Sequence, residues 1–272
     1  MTFTEEPGER YDMPVAFGPS IAPPVSKGFE TFTTAITYRT TRDAIGALLP
    51  KWFEPADQQN VTATYTRMVN MEWMGGRNYN IVAVGANVVC VAEDEPYEGR
   101  YTLAIWESDY APVLAGREYM GSPKLLAGIP DVDIFQSEFS FTCDEYDSNL
   151  VTGTVQGMRE LTSKELAPIA AAGKETVGLN WKYIPGFDGE PDISYPTALY
   201  MEHTYDRGMR GEGAVTFGAP TDQEAPYSAK IVRVLDRLPL LEHVDTLSLW
   251  SSYSYLFRDR TRRLDKVKVA VA

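Results

Sequence analysis

One lysine stands where covalent chemistry on a carbonyl carbon is feasible. Lys124 follows Ser122 and Pro123 in the stretch Gly116-Arg-Glu-Tyr-Met-Gly-Ser-Pro-Lys-Leu-Leu-Ala-Gly-Ile129. Ser122 is a good helix N-cap and Pro123 suits the first helical position, so the spacing predicts a short helix with Lys124 in its first turn. A cation there opposes the helix dipole, and the apolar Leu125, Leu126 and Ala127 make its desolvation costly. Both effects favour the neutral amine, the form that attacks a carbonyl to give an imine. On spacing alone, a solvated surface lysine is the simpler reading.

Few side chains present themselves as partners. Glu118 is either an acid-base group or a structural ion-pair partner of Arg117. Asn87 interrupts the apolar run GANVVCV, where a buried amide needs a purpose; pocket lining and a strand-edge amide both satisfy that. Trp106 and Met120 read as pocket wall or as core. In WSSYSYLF, Tyr253 and Tyr255 each offer a phenol, with Tyr253 the preferred one, although aromatics in such a run usually pack in the core. The two cysteines, Cys90 and Cys143, are too few and too far apart for a disulfide framework or a zinc site. With only His203 and His243 besides, no metal site is expected. No nucleophile elbow supports a Ser-His-Asp reading.

The elements that must position Lys124 are mostly strands. Alternation and β-branched residues predict strands at 32–39, Val61–Met68, Asn80–Val91, Tyr101–Trp106, Phe135–Cys143, Leu150–Met158, Trp181–Ile184, Asp192–Tyr205, Gly213–Phe217 and Lys230–Leu235. Thr41 caps a helix from Arg42 to Leu49 that Pro50 stops, and a second helix spans Leu161–Ala172 with Ser163 as its cap signal. Residues 244–256 fit helix or strand equally. Residues 1–28, rich in Pro, Gly and Ser, read as an irregular arm. No βαβ alternation, repeat or composition shift divides the chain. The expectation is one α+β domain over 1–272, mainly antiparallel β, with a closed or half-closed barrel.

Composition excludes whole classes of function. The 272 residues carry a formal net charge of −13, which argues against nucleic acid. The sequence has no apolar run of membrane-spanning length, and MTFTEEPGER is the opposite of a signal peptide, so a cytoplasmic location is expected. The glycines of RGMRGEGAVTFG do not fit a nucleotide-binding loop, and no cofactor has a visible seat.

Gly-Arg-Glu followed by Ser-Pro-Lys resembles the segment around the imine-forming lysine of the acetoacetate decarboxylase superfamily. A second block, Asn180-Trp-Lys-Tyr-Ile-Pro-Gly-Phe-Asp-Gly-Glu-Pro191, is similar to that family's Asn…Lys-x-Ile-Pro-x-aromatic-Asp-Gly-x-Pro segment. Weaker echoes are Met13-Pro14…Phe17-Gly18-Pro19, Tyr38-Arg39 and Leu238-Pro239. The resemblance implies that Lys124 is the nucleophile, that no cofactor is used, and that the protein is a homo-oligomer. It also implies a cone-like closed β-barrel flanked by sheet and a few helices.

Departures from the family pattern bear on the reaction. Leu125 replaces a second lysine, Thr31 stands near a family arginine, and two pocket glutamates fall on Thr66 and on Ile81 or Val82. A pocket so altered resembles aldolase-dehydratases or hydratases acting on 2-oxo acids. The expected activity is therefore a lyase acting through a Schiff base on a small oxo acid, with an aldehyde as the compatible co-substrate. Acetoacetate decarboxylation is the alternative, and a non-catalytic binding protein of the same fold the second alternative.

Overall fold

The computed structural model describes residues 4–93 and 96–265. In chain order the elements are β1 (Val25–Arg39), α1 (Arg42–Gly46), β2 (Phe53–Pro55), β3 (Asn60–Met71), β4 (Arg77–Cys90), β5 (Tyr97–Glu107) and α2 (Tyr110–Ala115). There follow β6 (Lys124–Leu126), β7 (Phe139–Glu145), β8 (Ser148–Glu160), α3 (Ser163–Gly173), β9 (Thr176–Pro185), β10 (Pro191–Phe217), α4 (Ala229–Leu235) and β11 (Glu242–Arg263).

The strands run in the order β11-β1-β3-β4-β5-β9-β10, and β10 pairs back onto β11, so the sheet closes into a ring. Beyond the ring, β10 continues into β8 and β7 as a flanking layer. Neighbours are antiparallel except at two junctions, where β5 runs parallel to β6 and to β9. The expected α+β, mainly antiparallel architecture is the one observed. Alternation explains why: β3 and β4 turn Val61, Ala63, Tyr65 and Val82, Val84, Ala86 into one core, with Trp106 and Leu179 fully buried beside them.

Some expectations need correction. The segment 230–235 is a helix rather than a strand. Its β-branched residues suggest a strand, but Ala229, Val232 and Leu235 recur every third position and are the residues it buries. The predicted strands 192–205 and 213–217 are one continuous β10, because its glycines serve packing: a Cβ on Gly213 would lie 2.6 Å from Thr246 Oγ1. The undecided tail is strand β11. Helix α3 is capped by Thr162 rather than Ser163, through a capping box in which Glu165 returns the hydrogen bond. Helix α1 is shorter than expected, though Thr41 does cap it, accepting from Ala44 N. The irregular arm gives way to β1 at Val25, and its first three residues lie outside the described ones.

Candidate active site

Lys124 is not in a helix. It opens the short strand β6, paired with Ile105 of β5, while Leu126 pairs with Glu107. A helix begun at Ser122 would meet Pro130 within two turns, too few to repay nucleation, whereas the β5 edge offers a backbone ladder at once. The dipole argument for the amine therefore lapses, and what surrounds it comes from the sheet and the segment before it.

That segment is α2, capped by Asp109 through Ala111 N, and then a π-helical turn from Gly116 to Met120. Gly121, at φ +76°, reverses the chain. The turn lays Gly116 against the lysine side chain: a Cβ there would lie 2.3 Å from Lys124 Cδ and 2.5 Å from Cε. The backbone of Gly116 has an ordinary helical φ of −70°, so space alone excludes a side chain. Gly116→Ala is accordingly expected to push the amine out of place. It should open the Lys124–Glu107 contact at a stability cost of about 1–3 kcal/mol, read by thermal melts.

Lys124 is 7% exposed and its amine lies 2.7 Å from Glu107 Oε1. It also donates to the Pro112 carbonyl at 3.2 Å. Parallel pairing explains the encounter: Glu107 lies two residues along β5 from Ile105, the register partner of Lys124, so both side chains leave the same face. Glu107 is fully buried, and beyond the Lys124 ammonium neither carboxylate oxygen has a hydrogen-bond donor. Burial pushes its carboxyl above the ordinary range, and the adjoining Lys124 charge partly opposes this. Tyr79, also buried, is pushed well up by burial and then by the Glu107 charge. The electrostatic neighbourhood of Glu107 further includes Asp109 and Arg258. A cleft of about 650 Å³ reaches Lys124 between Val113, Arg117, Gly128, Glu145 and Tyr227.

The other sequence candidates are distributed differently. Arg117 donates to the Lys124 carbonyl at 2.9 Å, so the Gly-Arg-Glu segment does support the lysine, but through its arginine. Glu118 lies on a separate cavity with Arg10, Tyr119 and Arg258, and acts electrostatically on Lys182. Trp106 is fully buried and donates to Ser228 Oγ at 2.9 Å, as part of the core. Met120 is buried in a methionine-rich cluster with Phe29, Met71 and Tyr79. Asn87 faces a surface depression with Asp57 and Glu98, and Tyr253, 41% exposed, borders another with Lys27 and Glu72. Neither lines the Lys124 cleft.

The second sequence block meets the first in space. It forms the second half of β9, the turn after it and the first residue of β10. Lys182 donates to the Tyr119 carbonyl at 3.2 Å and packs so closely on Gly121 that a Cβ there would lie 2.4 Å away. Burial lowers the pKa of the Lys182 ammonium. Among the described residues no cluster of three or more His, Cys, Asp or Glu side chains could hold a metal ion, and no helix is long and apolar enough to cross a membrane.

The sequence model of the acetoacetate decarboxylase family matches residues 12–256. The acetoacetate decarboxylase of Chromobacterium violaceum is 30% identical over 207 residues, 76% of this chain and 77% of that protein. The acetoacetate decarboxylase of Burkholderia cenocepacia is 30% identical over 216 residues, 79% of each chain. Among solved structures, an acetoacetate decarboxylase superposes with a TM-score of 0.72 at 18% identity, covering 93% of this chain and 94% of that one. The enduracididine biosynthesis enzyme MppR superposes with a TM-score of 0.69 at 15% identity, covering 97% and 98%. The structural likenesses establish a shared fold, and the sequence matches go further: this chain belongs to the acetoacetate decarboxylase family.

Proposed function

We propose that the protein is an imine-forming lyase in which Lys124 attacks the carbonyl carbon of a small oxo acid and Glu107 handles the protons. The observation that carries this reading is the 2.7 Å contact between a buried amine and a buried carboxylate. An ammonium is no nucleophile, so a base must take its proton; Glu107, made more basic by burial, is placed to do so. Nitrogen attack on the carbonyl gives a carbinolamine. Loss of its hydroxyl as water, with the proton returned by Glu107, leaves the imine.

The fate of the imine divides the family's chemistry. In an aldolase-dehydratase or hydratase, a base removes a proton from the carbon beside the imine, and the enamine adds to an aldehyde or the conjugated imine gains or loses water. The neutral residues at Thr31 and Thr66 favour this branch, since both are engaged by neighbouring hydroxyls, Ser254 at 3.5 Å and Thr33 at 3.0 Å. MppR, which shares the fold, has been captured complexed with pyruvate and with the condensation product of pyruvate and imidazole 4-carboxaldehyde. Decarboxylation of a 3-oxo acid is the second reading, and Glu107 favours it: a carboxyl with a raised pKa is a proton donor for the enamine left by loss of carbon dioxide.

Product analysis separates the branches. With pyruvate and an aldehyde, the expected result is a condensation product detected by mass spectrometry, with little carbon dioxide from acetoacetate. Rapid carbon dioxide release from acetoacetate without condensation would assign the decarboxylase branch instead.

A further inference from the structure

Four large apolar side chains stand open to solvent around one cleft, the cleft that Lys124 itself lines. Tyr146 is 78% exposed and Tyr227 73%, while Leu114 and Leu126 are about half exposed. A single exposed leucine is ordinary, but four such groups on one concave wall mark a binding surface. They converge from distant parts of the chain: Leu114 from α2, Leu126 from β6, Tyr146 from the turn between β7 and β8, and Tyr227 from the segment before α4.

Tyr146 occupies a position that is costly for a tyrosine. Glu145 pairs with Ser148, so Tyr146 and Asp147 form a two-residue hairpin turn, at φ +47° and +64°. Such a turn favours Asn and Gly, and a bulky aromatic in left-handed backbone is held there against its preference. The same hairpin places the second tyrosine, because the Glu145 carboxylate accepts from the Tyr227 backbone N–H at 3.3 Å. Two backbone hydrogen bonds between Gly128 and Asp144, 2.8 and 2.9 Å, fasten the hairpin to the chain just beyond β6. Both tyrosines are thus tied to the strap that carries Lys124.

The cleft measures about 650 Å³, within the roughly 300–1,000 Å³ of sites that enclose drug-sized ligands. Pyruvate or acetoacetate leaves most of that space unfilled. Asp144 and Glu145 stand on the wall beside the tyrosines and repel a carboxylate, so the group that meets the two phenols is uncharged. Exposed aromatic faces favour a flat ring as that group.

Resting on the imine reading above, we propose that the oxo acid carries an aromatic ring, and that Leu114, Leu126, Tyr146 and Tyr227 select it. The ring enters between the two tyrosines while the carbonyl carbon meets the Lys124 amine in the same cleft. The strained turn is then the means by which one of these tyrosines is presented to the guest.

Phenylpyruvate against pyruvate tests the selection, and hydrocinnamate, which has the ring but cannot form an imine, tests the binding alone. Half-maximal borohydride trapping on the full-length protein is expected at an about 10- to 100-fold lower concentration of phenylpyruvate than of pyruvate. Calorimetry should show hydrocinnamate binding to the wild type and to Lys124→Met, with propionate binding at least about 10-fold more weakly. Tyr146→Asn and Tyr227→Ser should each shrink the preference for phenylpyruvate about 3- to 10-fold. Tyr146→Asn should also raise the thermal midpoint, since asparagine suits the turn. Equal trapping of the two oxo acids by the wild type, or an undiminished preference in both variants with native circular dichroism, would overturn the proposal. Should one variant fail to fold, the other decides on the same criterion. If no oxo acid is trapped but hydrocinnamate binds and each tyrosine variant weakens it, the imine reading falls and the ring site stands.

Discussion

Lys124→Met is expected to abolish the covalent adduct that borohydride fixes when the protein meets pyruvate or acetoacetate. Methionine keeps the length of the chain in the slot beside Gly116 but has no nitrogen. Turnover should fall on the order of 10⁴-fold or more, the scale on which loss of a covalent nucleophile is felt. Intact mass reports the missing adduct, and peptide mapping of the wild type should place it on Lys124. The mapping matters because Lys182 is the obvious rival: burial lowers the pKa of its ammonium, and it sits against the same loop, donating to the Tyr119 carbonyl. An adduct on Lys182, or one that persists in Lys124→Met, would end the assignment.

Glu107→Gln has the next largest expected effect, and it separates chemistry from packing. Glutamine fills the same space and still accepts from the ammonium, but it cannot take the proton. Trapping should slow about 10²- to 10⁴-fold, the usual range for a lost acid-base group. In the wild type the trapping rate should fall as pH drops through the Glu107 titration, because the protonated carboxyl can no longer receive the amine's proton. Burial is the largest influence on that carboxyl and raises its pKa, so this acid limb lies above the ordinary carboxylate range and should vanish in the variant. Glu107→Ala is a different case. It strands a buried ammonium, and a loss of about 3 kcal/mol in urea unfolding is expected on top of the lost rate. Rates in Glu107→Gln within a factor of three of wild type would assign the carboxylate a purely structural part.

How much of this was readable in the sequence follows from the reach of each signal. Alternation is local, so β3, β4, β5 and β8 were legible from their own residues. Capping is local too, and Thr41 is where it was expected. The segment after Ser122 shows the limit: its cap and proline are real, but pairing with β5 is a tertiary choice that local propensity cannot weigh. Glu107 was missed for the same reason. It ends the strand TLAIWE, and what makes it a partner of Lys124 is a parallel register that spacing along the chain does not encode. A carboxylate directly after a buried tryptophan was the available hint. Arg258, a neighbour of Glu107, was hidden likewise in FRDRTRR, where Asp259, Arg260 and Arg263 are exposed and only the strand's alternation turns this one inward.

The placement of the pair on adjacent parallel strands has a consequence for assembly as well as for chemistry. The β6 strap is only three residues long, so its backbone ladder has little power to choose between neighbouring alignments. A slip by one position would turn Lys124 to the opposite face and set Leu125 or Ala127 opposite Glu107 in place of Leu126. Two opposite charges hidden from water make that misalignment expensive, whereas apolar residues at both places would tolerate it. The couple thus works as a locating dowel: the pairing of amine and carboxylate admits a single seating of the strand that carries Lys124.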